Sequence, residues 1–100
     1  MKLRLLAEAE AEIESARSYL NQQAHDLGTR FLDDLDLTMR DILEHPMSFP
    51  KLETLPPEEP YRRARLGTFR YAVVFEVLAA EILIVAVAHT SRQPNYWLSR

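Results

Sequence analysis

Two runs near the carboxyl end of the chain limit the folds that are open to it. Residues 71–77 read YAVVFEV and residues 81–89 read EILIVAVAH, and together they hold most of the valines and isoleucines. β-branched side chains favour extended strands over helices. One apolar helix over residues 72–88 is the alternative, and the density of β-branched residues argues against it. The sequence therefore predicts a hairpin of two central strands that turns at residues 78–80.

The remaining elements are predicted from changes in the spacing of apolar residues along the chain. Residues 2–6 alternate as a short edge strand, and residues 7–23 carry an apolar stripe at helical spacing. A second helix follows from Leu27 to about Glu44, with Asp26 as its predicted cap and His45-Pro46 as its stop. Residues 61–66 are a further strand. One domain over residues 1–100 results, of α+β class and order β-α-α-β-β-β, with a helical hairpin on one face of a small, mostly antiparallel sheet.

Acidic side chains are concentrated in the two helices. Each cluster is predicted to form a solvated outer helix face rather than a metal or acid–base site. The i,i+4 spacing also predicts ion pairs between Asp26 and Arg30 and between Asp36 and Arg40. The clusters consist of Glu8, Glu10, Glu12 and Glu14 in the first helix and Asp33, Asp34 and Asp36 in the second.

Composition excludes several classes of protein. The chain has no cysteine and only two glycines, so it has no disulfide, no thiolate metal site and no glycine-rich phosphate loop. Its three histidines lie far apart in sequence, and we expect neither a metal nor a cofactor. The apolar runs are too short for a signal peptide core or a membrane span. We expect a cytoplasmic protein without membrane contact.

Charge is distributed unevenly along the chain. Residues 1–60 carry six Lys or Arg and thirteen Asp or Glu, a net charge of −7, whereas residues 61–100 carry six Arg and two Glu, a net charge of +4. Strand alternation places Arg63 and Arg65 on one face and Arg62 on the other, with Arg70 beyond the turn. These arginines either solubilise the strand and pair with helix carboxylates, or recognise the anionic groups of an acidic peptide or a nucleic acid.

The residues after the last strand are polar and aromatic. His89 ends that strand at the rim of the sheet, as a structural histidine or as a general base. Tyr96 and Trp97 either fold back on the core or serve as interface anchors.

The ordered set of residues from Ile13 to Arg100 resembles the ParE-like branch of the RelE/ParE superfamily of toxins from type II toxin–antitoxin systems. Its last part resembles the His-x-x-Arg-x-Pro-x-Tyr-Trp ending of that branch. The family fold agrees with the layout predicted above. The residues that carry the resemblance are Ala16, Tyr19, Leu27-Gly28, Phe31-Leu32, residues 42–46, Arg63, Leu66, residues 69–71, residues 84–89, Arg92, Pro94, Tyr96, Trp97 and Arg100.

The resemblance implies a bacterial toxin that a cognate antitoxin neutralises, with operator DNA contacted only through the antitoxin. ParE-like members act on DNA gyrase and have no known active site, whereas RelE-like members cleave mRNA on the ribosome. Nuclease members carry an arginine where this chain has Ala72, so the sequence favours a non-enzymatic toxin. The predicted antitoxin- or target-binding residues are Arg62, Arg63, Arg65, Arg70, His89, Arg92, Tyr96 and Trp97.

Two alternatives remain open. A ribosome-dependent endoribonuclease would use Arg63, Arg65, His89, Arg92 and Tyr96 for phosphate binding and acid–base chemistry. A chain that has lost its toxicity would survive as a binding module.

Overall fold

The two runs rich in β-branched residues form the centre of a four-stranded sheet in the computed structural model, which describes residues 1–100. Both lie in strands, so the continuous helix over residues 72–88 is excluded. The predicted order β-α-α-β-β-β and the α+β class are confirmed. The elements are β1 (Lys2–Leu5), α1 (Ala7–Gln23), α2 (Leu27–Glu44), a short 3₁₀ helix (Pro46–Ser48), β2 (Tyr61–Arg65), β3 (Tyr71–Val77) and β4 (Glu81–His89).

The sheet has the strand order β1-β4-β3-β2. β2, β3 and β4 are antiparallel neighbours, and β1 runs parallel to β4. β1 pairs with β4 only as far as Ile84, and the chain then turns into α1. The outer edge of β4 from Val85 onward therefore has no neighbouring strand.

The two helices cover one side of the sheet, here called the helix face. Phe31, Leu35 and Ile42 of α2 are buried there with Ala9 and Ala16 of α1. The helices approach each other closely at Gly28, where an added Cβ would lie 2.5 Å from the carbonyl oxygen of Arg17. The contact thus admits no larger residue without displacing a helix.

The opposite side of the sheet, here called the tail face, is covered by the connector before β2 and by the C-terminal tail (residues 90–100). Leu52 and Leu55 of the connector pack beside Trp97 of the tail on this face. A register shift makes Val85 an extra residue in β4, because Val74 pairs with Ala86 while Phe75 pairs with Ile84. This bulge turns the backbone so that Val85 and Ala86 both join the tail-face cluster, whereas Val87 faces the helices.

One aspartate that was expected to be solvated holds the turn between β2 and β3. The Asp34 carboxylate accepts backbone N–H bonds from Gly67, Thr68 and Phe69 at 2.9–3.2 Å. The prediction of a free outer-face residue was wrong here. The turn exposes three N–H donors that have no strand partner, and a carboxylate in the facing helix satisfies them.

The sequence-based description of the start of α2 also needs correction. Asp26 precedes α2 but adopts a left-handed backbone with φ of 63°, and its side chain makes no capping hydrogen bond. No ion pair joins it to Arg30, whereas the predicted Asp36–Arg40 pair forms at 3.0 Å. Neither helix is long and apolar enough to span a membrane.

Candidate partner-binding site

The arginines of residues 61–70 have no carboxylate partners. Ala64 is buried and Arg62 pairs with Phe75 of the helix-face cluster, so Arg63 and Arg65 project from the tail face. The predicted alternation is confirmed. None of the four arginines in this segment forms an ion pair, which is inconsistent with pairing to helix carboxylates. Arg62 instead donates to the carbonyl oxygen of Phe49 at 2.7 Å.

Glu12 of α1 anchors the C-terminal tail. Its side chain is 12% exposed and accepts hydrogen bonds from the Tyr96 hydroxyl and, at 2.8 and 3.1 Å, from the Arg100 guanidinium. Arg92 lies 3.8 Å from the same carboxylate. The prediction of a solvated glutamate was wrong at this position, because Glu12 borders the buried stripe of Ala9 and Ala16 and faces the cations of the tail.

The electrostatics of this anchor fix its protonation state. Burial alone would raise the pKa of Glu12, but hydrogen bonds from Arg100, Tyr96 and the Val87 N–H outweigh it and lower that pKa below its ordinary value. Burial, together with the hydrogen bond to Glu12, raises the pKa of Tyr96 to about 12. Glu12 is therefore ionised and Tyr96 protonated at neutral pH.

The same anchor caps the open edge of β4. Val87 donates its backbone N–H to Glu12 at 3.0 Å, and Arg100 donates to the carbonyl oxygen of Val85 at 3.1 Å. Both backbone groups point away from β3, toward the edge of β4 that β1 no longer covers. One ion pair thus replaces a missing strand, which leaves fewer unpaired backbone groups on this edge.

The two aromatic residues of the tail fold back on the sheet. Trp97 is 4% exposed and packs with Val74, Val85 and Ala86. Its ring meets Tyr61 edge-on with centroids 4.7 Å apart. Of the two alternatives for Trp97, the structure has the packed one, and the ring positions the tail.

His89 lies exposed at the end of β4 with a fixed ring. The Ser91 backbone N–H donates to Nδ1 at 3.1 Å, and the Ser91 hydroxyl lies 2.7 Å from the same nitrogen. The ring also meets Tyr71 edge-on, with centroids 5.2 Å apart. Because Nδ1 is the acceptor, the neutral ring carries its proton on Nε2.

These elements enclose a hollow of about 120 Å³ on the tail face, here called the arginine hollow. Its bottom is the cross-strand pair Ala72 and Ala88, and Arg63, His89 and Arg92 stand around it. No aspartate or glutamate lines it. The lining of the arginine hollow therefore contains arginines but no carboxylate, and Glu12 pairs with Arg92 from outside it.

A larger groove of about 480 Å³ runs between α1 and the open edge of β4. Glu8, Tyr19 and Val87 line it, and His89 and Arg92 border both this groove and the arginine hollow. The two concave surfaces meet at the rim of the sheet.

Comparison with known families identifies the chain. A model of the ParE toxin of type II toxin–antitoxin systems, parDE, matches residues 3–94. The chain belongs to this family. A solved structure of the chromosomal ParDE system from P. aeruginosa has the same fold, with a TM-score of 0.75 and 14% sequence identity, covering 89% of this ParE-family chain and 95% of that chain. No protein with a curated description matches the chain.

The structure brings together some of the predicted site residues of this ParE-family toxin and separates others. Arg63, His89, Arg92, Tyr96 and Trp97 all line the arginine hollow. Arg65 and Arg70 border a separate depression, and Arg62 lies at the outer edge of β2. No role was predicted from the sequence for Glu12 or Arg100. For Glu12 a signal exists, since it lies three residues after Ala9 and four before Ala16, on the flank of the buried stripe.

Proposed function

We propose that this toxin acts by binding a protein target, DNA gyrase by family analogy, and that a cognate antitoxin neutralises it by covering the tail face and its rim. The observation that carries the proposal is that Arg63, Arg65 and Arg70 are exposed and form no ion pair with any carboxylate of the chain. Free guanidinium groups beside a fixed aromatic tail provide complementarity to an acidic protein surface. The acidic outer faces of the helices would stay outside both complexes.

The residues of the arginine hollow support binding rather than catalysis. RNA cleavage through 2′-OH attack needs one group that takes a proton and another that gives one. Tyr96, whose pKa is raised to about 12, keeps its proton and donates a hydrogen bond to Glu12, so it is a poor base at neutral pH. Ala72 occupies the position of the arginine that nuclease members use, and it supplies only a methyl group.

Supercoiling assays test the target. Purified toxin in molar excess over gyrase should inhibit supercoiling of relaxed plasmid, and detergent with protease should release linear DNA from a trapped complex. Toxin premixed with its antitoxin is the control and should leave gyrase active. Full supercoiling and no linear DNA at saturating toxin would rule out gyrase as the target.

A ribosome-dependent endoribonuclease is the second candidate, because Arg63, His89 and Arg92 border one hollow. Primer extension on translated mRNA after induction of the toxin decides this point. New 5′ ends that disappear in Arg63→Gln would favour cleavage, and an unchanged pattern in growth-arrested cells would exclude it. Normal growth after induction without antitoxin would instead favour a binding module without toxicity.

A further inference from the structure

The charge of the arginine hollow is only partly balanced from within the chain. Arg63 is exposed and has no ion pair, and Arg92 has only Glu12 at 3.8 Å. That carboxylate already accepts from Arg100 and Tyr96 at shorter range. An anion from outside would meet two guanidinium groups without displacing any internal carboxylate.

The hydrogen-bond donors on the tail side of the arginine hollow are held in place before any ligand arrives. The Arg92 guanidinium lies 3.9 Å from the centroid of the Tyr96 ring, and Glu12 fixes that ring through its hydroxyl. Ser91 holds the His89 imidazole. Side chains that are already ordered lose little entropy when they bind, which favours even a small ligand.

The size and the surface chemistry of the arginine hollow limit which anions can bind there. A volume of about 120 Å³ is well below the roughly 300–1,000 Å³ of sites for whole small molecules or nucleotides. The bottom consists of the Ala72 and Ala88 methyl groups, with Val74 beside them. Such a surface suits the methylene stem of a glutamate, whose carboxylate would then reach the arginines at the rim.

We infer that the arginine hollow is a receptor for one glutamate side chain from an acidic segment of a partner protein. The inference rests on the proposed function, since it concerns how that partner is held. Arg63 and Arg92 bind the carboxylate oxygens from two sides, and the His89 Nε2–H is a further donor at the rim. The alanine pair contacts the stem.

NMR titration of the isotope-labelled full chain tests the site with a defined probe. N-acetyl-glutamate amide should give saturable shifts, in the millimolar range, at the Ala72 and Ala88 amides and at the Arg63 Nε–H. N-acetyl-glutamine amide, which has the same shape and no charge, should give none. Shifts that fail to saturate, or equal shifts with both probes, would overturn the inference.

Two variants on one strand provide the matched control. Arg63→Gln should weaken binding of the probe at least tenfold, whereas Arg65→Gln, on the same face of β2 but outside the arginine hollow, should retain it. An equal loss of probe affinity in the two variants would show that the glutamate side chain does not bind in the arginine hollow. A single-stranded oligonucleotide that shifts the same signals at a lower concentration than the glutamate probe would also overturn it and indicate a nucleic acid site. Either failure leaves the toxin proposal intact, because growth arrest and gyrase inhibition test that separately.

Discussion

Glu12 joins three parts of the molecule that lie far apart in sequence. Its carboxylate accepts from the tail through Tyr96 and Arg100 and from the edge of β4 through Val87. Since a hydrogen bond to a charged group contributes about 1.5–3 kcal/mol, this single side chain accounts for a large share of what holds the tail in place.

We expect Glu12→Gln to lower the free energy of unfolding by about 3 kcal/mol, because it leaves the largely buried Arg100 side chain without its counter-charge. Urea denaturation followed by the fluorescence of Trp97, the one tryptophan in the chain, measures the change. Glu10→Gln, on an exposed part of α1, is the control and should have little effect. A loss in Glu12→Gln no greater than in this control would contradict the role of the anchor.

The pH dependence of stability follows from the lowered pKa of Glu12. A group whose pKa is lower in the folded than in the unfolded state stabilises the fold above its unfolded pKa, here 4.5, and loses that contribution as the pH falls through the folded value. The stability difference between wild type and Glu12→Gln should therefore be constant above about pH 5 and shrink below pH 4.5. Urea titrations at several pH values check it, and a constant difference down to pH 3 would contradict it.

At the scale of elements, strand and helix positions could be predicted from the sequence because the spacing of apolar residues and the content of β-branched residues are local properties. α1, β3 and β4 begin and end where the patterns indicate. The bulge at Val85 could not be predicted, since it depends on pairing with β3 and on the Arg100 side chain that caps it. The role of Asp34 was missed for the same reason, because its partners lie more than thirty residues away.

Asp34→Ala should destabilise the protein by about 2 kcal/mol, since it leaves three N–H donors of the β2–β3 turn without their acceptor. Asp33→Ala removes an exposed neighbour and should change the unfolding free energy by less than about 0.5 kcal/mol. Thermal denaturation of both variants measures this. Faster amide hydrogen exchange at Thr68 and Phe69 in Asp34→Ala alone would locate the effect, and equal stability of the two variants would contradict it.

Substitution by alanine should have different effects on stability at the two glycines, Gly28 at the helix contact and Gly67 in the β2–β3 turn. Gly28→Ala should destabilise the protein by about 1–3 kcal/mol or more, because its Cβ would meet the Arg17 carbonyl oxygen at 2.5 Å. Gly67→Ala should be tolerated, since the nearest atom lies 3.4 Å from the added Cβ. Melting temperatures decide between them, and a stable Gly28→Ala would show that the helices do not cross this closely.

At the scale of the whole molecule, the uneven distribution of charge along the sequence corresponds to two surfaces of opposite charge. Arg63 and Arg65 on the tail face have no carboxylate partner, while the acidic residues lie mostly on the helices of the other face. The sequence predicts which strand carries the cations. It leaves open whether the tail folds back on the sheet, because that arrangement depends on Glu12, which lies 84 and 88 residues from its tail partners Tyr96 and Arg100.

The affinity for the antitoxin tests the central claim, that the cationic tail face holds the protein partner. Calorimetric titration of the toxin with the product of the adjacent reading frame compares two double charge reversals, Arg63→Glu with Arg65→Glu and Glu10→Lys with Glu14→Lys, both checked for unchanged Trp97 emission. We expect the first to raise the dissociation constant at least about a hundredfold, close to 3 kcal/mol, and the second to change it less than about threefold. Equal effects of the two reversals would contradict the claim.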